Sequence, residues 1–251
     1  MSVSQIIINA DDFGLSESAN RAIADAFDKG LISNTTMLAN GKAFDEAVVL
    51  ANKHGFCDKV GIHFNLTQGI PLTDDIKYCA TFCENGKFHN RINRLKLLNE
   101  SEKTAVYKEL SAQVKKLKNA GFIIDHADSH HHIHTALFIS PIVLRICRES
   151  GINKIRLHRN TGAIPCYKKA VKNIYNKRLV KKGFYTTGLF GSLKDIDSDL
   201  PPDIEIMVHP DYDKNNILID RRNFENGTPA GVPLLSISDK FGVELISYGD
   251  L

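Results

Sequence analysis

Short apolar segments alternate with amphipathic ones along most of the chain. Apolar, β-rich runs predict strands at residues 5–10, 31–38, 60–67, 122–128, 154–157, 204–208 and 243–247. Apolar residues at helical spacing predict helices between Ser16 and Gly30, near residues 44–55, 106–121 and 140–151, and in a basic stretch at 168–180. This alternation predicts βαβ units and a largely parallel sheet, as either an open doubly wound sheet or an incomplete barrel.

Residues 68–99 interrupt the rhythm. Pro71, Gly86 and mixed polar residues predict an excursion from the repeating units, which we interpret as a lid or a dimerisation arm rather than a second domain. The length of 251 residues suits a single domain spanning 1–251. We expect that domain to form a homodimer.

Composition narrows the class of protein. The chain has 32 basic and 29 acidic residues, a near balance that argues against nucleic acid as a partner. We find neither a secretory signal nor a stretch long enough to span a membrane, so we expect no membrane partner. An odd number of cysteines, five, without paired metal-binding spacing indicates reduced thiols. These features predict a cytoplasmic protein.

Two adjacent carboxylates, Asp11 and Asp12, follow the first predicted strand. Carboxylates this close repel each other unless a cation or an arginine lies near them. At a strand end the backbone can turn both side chains toward one pocket. An exposed turn in front of a helix capped by Ser16 is the alternative, and the pair by itself does not decide between them.

Histidines accompany two later strands. His63 shares one face of residues 60–67 with Asn65 and Thr67, which indicates a wet interior face in a strand that is normally apolar on both sides. Residues 126–134 contain five histidines and Asp128. Imidazole and carboxylate are common ligands of divalent ions, and Asp128 could hold the second ring nitrogen of a ligating histidine.

Two more residues belong to the predicted site. His209 follows the apolar strand 204–208, again at a carboxyl end, although an ordinary strand-terminal histidine has the same pattern. Arg156 lies between Ile155 and Leu157 and needs a carboxylate partner if that strand is buried. Asp11 is the candidate partner.

These segments, in this order, resemble the YdjC-like family of chitooligosaccharide deacetylases. The matching stretches are INADDFGLS at 8–16, NTTMLAN at 34–40, GIHFNLT at 61–67, DSHHHIH at 128–134 and EIMVHP at 205–210. The resemblance implies a deformed (β/α) barrel of the TIM type, one divalent metal ion and removal of acetyl groups from oligosaccharides that contain N-acetylglucosamine. The metal is usually magnesium and sometimes zinc, and the histidine and aspartate ligands also suit zinc.

By motif, the resemblance implies that Asp12, His63 and His130 are the metal ligands, that Asp11 is the general base and that His209 is the general acid. Arg156 would keep Asp11 ionised. His134 replaces His130 as the ligand if that segment is helical. Residues 68–99 and the tail between Asp220 and residue 233 depart from the family pattern, which leaves the identity of the sugar open.

Two other functions fit parts of the pattern. A metal-dependent barrel phosphoesterase or a sugar isomerase would use the same metal, but the motifs include no glycine-rich loop for phosphate. A non-catalytic sugar-binding paralogue would not need both Asp11 and His209. The expected substrate is a small N-acetylated sugar.

Overall fold

A parallel sheet with helices around it organises the chain. The structure, a computed structural model, describes residues 6–196, 201, 203–221, 224–225, 228–229, 232–234 and 243–251. The strands of the main sheet are β1 (Ile6–Phe13), β2 (Asn34–Met37), β3 (Val60–Phe64), β6 (His126–Ser129), β7 (Lys154–Ile155), β8 (Leu189–Ser192) and β9 (Ile204–Val208). The helices are α1 (Glu17–Asp28), α2 (Phe44–His54), α3 (Asp74–Lys77), α4 (Glu100–Asn119), α5 (Ser140–Ser150) and α6 (Cys166–Lys181).

The remaining strands are short and antiparallel. They comprise β4 (Cys83–Glu84) with β5 (Lys87–Phe88), then β10 (Pro210–Tyr212) and β11 (Leu218–Asp220) with β14 (Val232–Pro233), and β12 (Phe224–Glu225) with β13 (Thr228–Pro229). The strand β10 begins two residues after β9 ends. The small sheet of β10, β11 and β14 therefore lies next to the end of the main sheet that carries the predicted site.

The strand order identifies the sheet as a barrel. The seven strands lie in the order β7-β6-β3-β2-β1-β9-β8, and neighbouring strands pair in parallel. Read as a circle, this is the order of the strands along the chain, which is the arrangement of a (β/α) barrel. An isolated parallel bridge joins Lys154 of β7 to Tyr185, which precedes β8, while β7 and β8 themselves are the two edges of the sheet. The fold is thus a deformed, incomplete (β/α) barrel of seven strands, as predicted.

Alternation along the strands separates an apolar outer face from a polar interior. Ile6, Ile8 and Ala10 of β1 belong to the hydrophobic core beneath the helices. The alternate positions of the strand include Asn9 and Asp11, both buried. The strands β3, β6 and β9 repeat this pattern, because His63, Asp128 and Glu205 alternate with core residues. The interior of the barrel therefore collects buried polar and charged side chains.

The helices begin and end at the residues that the sequence indicates. The side chain of Ser16 accepts a hydrogen bond from the backbone of Ala19 and caps α1. Gly55 and Gly151 end α2 and α5 in the left-handed conformation that glycine adopts without a steric penalty. Ser140 is the first residue of α5, and Pro141 lies in its first turn, where proline is favoured.

Residues 68–99 pack against the barrel through several apolar side chains. Ile76 and Phe82 are fully buried. The carboxylate of Glu109 in α4 accepts hydrogen bonds from the backbone of Leu72 and Thr73, which attaches the start of the segment to the helix. The role of this segment as a lid or a dimerisation arm stays a prediction.

The predicted strand at 243–247 is wrong. A single parallel bridge joins Leu245 to Ile6, and the chain then enters a short 3-10 turn, Tyr248–Asp250. The backbone N–H and the hydroxyl of Ser247 donate to Asp250 Oδ2 and cap this turn. Among the described residues, no helix combines the length and the apolar character that a membrane crossing needs.

Candidate metal and catalytic site

A bulge in β1 brings both carboxylates of the Asp-Asp pair to the site. Ala10 pairs with Thr35 and Phe13 with Met37, so β1 has one more residue than β2 over this interval. Asp12 has a φ of 71°, a conformation that is strained for a residue other than glycine. Without the bulge, Asp11 and Asp12 would point to opposite faces. Both are buried at the carboxyl end of the strand.

Three predicted metal ligands converge. Asp12, His63 and His130 each offer one ligand atom within 4.8 Å of the others, and all three residues are buried. His130 Nδ1 lies 2.7 Å and His63 Nε2 lies 3.3 Å from the same oxygen, Oδ1 of Asp12. A second group within 4.8 Å comprises Asp11, His63 and Asp128.

The opposite nitrogen of each ring is already held. His63 Nδ1 lies 2.6 Å from Asp128 Oδ1, and His130 Nε2 lies 2.8 Å from Gln68 Oε1. If each ring donates its hydrogen to these acceptors, His63 Nε2 and His130 Nδ1 present lone pairs to the Asp12 carboxylate. Three lone pairs that face one another repel unless a cation lies between them. The donor set therefore fits a divalent ion, with Asp128 and Gln68 as orienting partners.

The shifted pKa values of Asp12 and His63 also indicate that positive charge is needed between these side chains. Burial opposes ionisation of Asp12, but hydrogen bonds from His130 and His63 hold its pKa well below its usual value. Burial alone would lower the pKa of His63, whereas the charge of Asp128 and hydrogen bonds to Asp12 and Asp128 raise it to about 10. A proton on His63 or a metal ion can supply the positive charge.

Arg156 lies at the centre of the charged interior. Its Nη1 and Nη2 donate to the two oxygens of Asp11, each over 2.7 Å. Nη1 also lies 2.5 Å from Asp128 Oδ2, and Nε donates to Glu205 Oε1 over 2.7 Å. One buried guanidinium thus neutralises part of the charge of three buried carboxylates. The predicted pairing of Arg156 with Asp11 is confirmed.

These contacts keep Asp11 ionised. Burial would raise the pKa of Asp11, but the charge and hydrogen bonds of Arg156 outweigh it and lower the pKa below its usual value. Asn9 donates a further hydrogen bond of 2.9 Å to Asp11 Oδ1. Asp11 is therefore a carboxylate held in one orientation at the carboxyl end of the barrel.

The candidate acid, His209, also lies near Asp11. His209 Nε2 is 3.9 Å from Asp11 Oδ2, and His209 Nδ1 is 3.8 Å from Asp220 Oδ1. Asp220 also accepts a hydrogen bond from the backbone N–H of His209 over 2.9 Å. Asp220 thereby links β11 to the end of β9. The structure thus brings Asp11, His209 and Arg156 together beside the three predicted ligands.

His134 lies apart from this group. Its Nδ1 is 2.6 Å from the hydroxyl of Ser129, and its buried Nε2 has no hydrogen-bond partner among the described residues. Residues 130–135 form 3-10 turns interrupted at His131 and His132, both with positive φ. Because the segment is not α-helical, His134 does not replace His130 among the converging donors.

A cleft opens beside the site. It has a volume of about 650 Å³, and Gln68 and Arg221 border it. Arg221 Nη2 donates to Asp12 Oδ2 over 2.8 Å, so this residue connects the cleft to the Asp12 carboxylate. Sequence reasoning missed Gln68, Glu205 and Arg221. Glu205 could have been found as Arg156 was, because it is also a charged residue within an apolar strand. Gln68 and Arg221 lie in segments without hydrophobic periodicity, so the sequence offers no comparable signal for them.

Comparison with known proteins assigns the family. The model of the YdjC-like protein family matches residues 5–231. The chain belongs to the YdjC-like family. Similar proteins include carbohydrate deacetylase 1 of Listeria innocua, which is 30% identical to this chain over 98% of this chain and 100% of that protein. The carbohydrate deacetylase of Halalkalibacterium halodurans is 34% identical over 83% of this chain and 85% of its own length.

A solved structure supports the fold of this YdjC-like chain. A crystal structure of an Enterococcus faecalis protein, whose description names cellobiose-phosphate cleavage, matches this chain with a TM-score of 0.69. It is 20% identical and the match covers 99% of both chains. At that identity the likeness establishes the architecture alone.

The tail between Asp220 and residue 233 is the segment that we expected to depart from the family pattern. The structure describes Asp220 and Arg221 there. Residues 222–223, 226–227 and 230–231, and the side chains of 224–225, 228–229 and 232–233, lie outside the described residues.

Proposed function

We propose that this YdjC-like protein is a metal-dependent carbohydrate deacetylase that hydrolyses the N-acetyl group of a small amino-sugar oligosaccharide such as a chitooligosaccharide. The observation that carries the proposal is the convergence of Asp12, His63 and His130 within 4.8 Å, directly beside Asp11 and His209. The names of the curated relatives support the reaction class. Magnesium and zinc both remain candidates for the ion.

An amide resists hydrolysis because its carbonyl is a weak electrophile and its amine is a poor leaving group. A divalent ion held by Asp12, His63 and His130 would polarise the acetyl carbonyl and lower the pKa of water. In this proposal Asp11 accepts the proton of the attacking water, and the contacts of Arg156 and Asn9, which hold it ionised and oriented, support that role. General-base catalysis of this kind typically contributes about 10²–10⁴-fold.

In the same proposal His209 protonates the departing amine. Its Nε2 lies 3.9 Å from Asp11 Oδ2, and Asp220 contacts both its backbone N–H and its ring. An acid for the amine and a base for the water allow the amine to leave as a neutral group. This division of labour is what amide hydrolysis requires, and a protein that only binds sugar has no need of it.

The cleft suggests the character of the sugar. Amides of Asn40, Asn65 and Gln68 line it, and they suit the hydroxyl groups of an oligosaccharide. Lys42, Lys87 and Arg221 line it as well, and the lining residues that the structure describes include no carboxylate. This charge favours an oligosaccharide that carries an anionic group such as a phosphate ester.

The decisive experiment measures acetate release from a panel of N-acetylated sugars, with and without a chelator. The panel pairs neutral chitobiose with its phosphorylated form. We expect release that stops with the chelator and returns with magnesium or zinc, and a lower KM for the phosphorylated sugar. Replacing Lys42 by Ala should raise KM for the phosphorylated sugar alone, whereas Lys53→Ala, outside this cleft, should change neither KM.

Other outcomes identify the rival functions. Release of phosphate without acetate would assign a phosphoesterase, and a change of sugar without loss of either group would assign an isomerase. Binding of sugar without turnover in the presence of either metal would assign a non-catalytic paralogue. Any of the three would overturn the deacetylase proposal.

A further inference from the structure

The end of the chain fills the base of the barrel, opposite the site. Tyr248 is 2% exposed, and its ring stacks on His126 with a centroid separation of 4.3 Å and an interplanar angle of 11°. Its backbone N–H donates to Asn34 Oδ1 over 2.9 Å. Asn34 and His126 are the first residues of β2 and β6. Tyr248 therefore lies at the amino-terminal ends of the strands.

Gly61 shows how tightly this layer is packed. A Cβ atom at position 61 would lie 2.4 Å from the ring of His126. The glycine at this position makes room for His126, and His126 in turn supports the ring of Tyr248. Tyr248 is thus held in one place by residues of the barrel wall.

A continuous chain of hydrogen bonds runs from Tyr248 to Asp11. The Tyr248 hydroxyl donates to Glu205 Oε2 over 2.6 Å, and Arg156 Nε donates to Glu205 Oε1 over 2.7 Å. The same guanidinium then donates twice to Asp11. Each of the four residues is at most 3% exposed, so water does not compete for these contacts.

We propose that Tyr248 and Glu205 are positioning residues for the reaction, acting on the candidate base Asp11 through Arg156. This inference rests on the proposed function. A guanidinium is planar, so a contact that fixes Nε also fixes the direction of the two N–H groups that hold Asp11. Glu205 supplies that contact, and the Tyr248 hydroxyl holds Glu205 by its other oxygen.

Removing the hydroxyl leaves Glu205 Oε2 buried without the donor that now satisfies it. A buried acceptor without a partner is costly, so Glu205 would move, and Arg156 would move with it. A small displacement of a catalytic group is enough to slow a reaction strongly, even when the displaced group is intact. The C-terminal turn thereby influences chemistry at the opposite end of the barrel.

The first test compares Tyr248→Phe with Asp250→Ala under metal saturation. We expect Tyr248→Phe to lower kcat about 10-fold with unchanged KM, since one hydrogen bond to a buried charge is lost and substrate contacts are not. Asp250 caps the same turn through Ser247 but does not contact Glu205. Asp250→Ala should lower the temperature of unfolding and leave kcat unchanged.

A second measurement does not depend on turnover. In metal-free protein labelled with ¹⁵N-arginine, the Nε–H signal of Arg156 reports the contact with Glu205. We expect Tyr248→Phe to shift this signal and to speed its exchange with solvent, while Asp250→Ala leaves both unchanged. Glu205→Gln keeps an oxygen for Nε–H and should retain more kcat than Glu205→Ala.

The outcomes separate this inference from the proposed function. If the wild-type protein releases no acetate, the proposed function fails, and the Arg156 signal still decides whether Tyr248 positions the guanidinium. If Tyr248→Phe keeps the wild-type kcat and the wild-type Arg156 signal, the positioning role is overturned. It is also overturned if both variants lower kcat equally, because the turn would then act through stability alone.

Discussion

Arg156 and Asp11 meet through two parallel hydrogen bonds of 2.7 Å in the buried interior of the barrel. This pairing is bidentate, so it fixes the plane of the carboxylate as well as its charge. A carboxylate that is held by an arginine stays ionised over the whole physiological pH range. As the proposed base it would be a weaker proton acceptor in return, which suits water whose pKa a bound metal ion would lower.

Asp11→Asn tests the role of this carboxylate. The variant keeps the size of the side chain but cannot accept a proton, so we expect acetate release to fall by about 10²–10⁴-fold. Metal affinity, measured by isothermal titration calorimetry, should stay near that of the wild type because Asp11 is not among the three predicted ligands. Acetate release close to the wild-type rate would exclude Asp11 as the base.

Asp128→Asn tests the partner of a predicted metal ligand. Asp128 Oδ1 lies 2.6 Å from His63 Nδ1 and orients the ring. Loss of such an outer carboxylate typically weakens metal binding by about 10–100-fold. Asp125→Asn is the matched control, since Asp125 contacts His126 and Lys154 instead. Equal metal affinities for the two variants would contradict the assignment of His63 as a ligand.

Arg156→Met tests the charge balance of the interior. The variant leaves Asp11, Asp128 and Glu205 buried without their shared cation. Breaking a buried ion pair on one side typically costs about 3–5 kcal/mol, and we expect at least that loss in the free energy of unfolding from urea titrations. Arg145→Met removes an exposed pair with Glu149 and should leave the midpoint of the titration unchanged.

Acid stability should depend on His158. Burial, followed by the charges of Lys172 and Arg94, lowers the pKa of His158 to about 4. Between that value and the usual 6.5, the unfolded chain binds a proton at this position that the folded protein does not. The contribution to stability is therefore complete above pH 6.5 and is lost as the pH falls toward about 4.

His158→Gln removes this titration. We expect the free energy of unfolding of the variant to decline less steeply than that of the wild type from pH 6.5 to about 4. The pKa values of His132 and His134 are also lowered by burial, so part of the decline should persist. Parallel curves for wild type and variant would show that His158 titrates normally in the folded protein. Urea titrations at a series of pH values provide the measurement.

Local pattern alone predicted most of the strands of the main sheet, whereas the choice of a barrel over an open sheet came from the family resemblance. The apolar runs before Asp11, around His63 and before His209 are buried strands, and the polar residues at their carboxyl ends meet because parallel strands end at the same edge. The need of Arg156 for a carboxylate was also readable, since a charge in an apolar strand cannot remain unpaired. These inferences succeeded because they depend on periodicity and on the cost of burying charge, and both are visible in a short stretch of sequence.

The tertiary structure decided everything that depends on which distant residues share a volume. The bulge that turns Asp12 beside Asp11 depends on pairing with β2. The choice of His130 over His134 depends on the turns at 130–135, where Arg94 donates to the carbonyl oxygens of His131 and His132. The link from Tyr248 through Glu205 to Arg156 joins residues from three separate strands and turns. Sequence determines the kinds of side chain present and the strands that carry them. The partner of each buried group is set only when the barrel closes and excludes water from its interior.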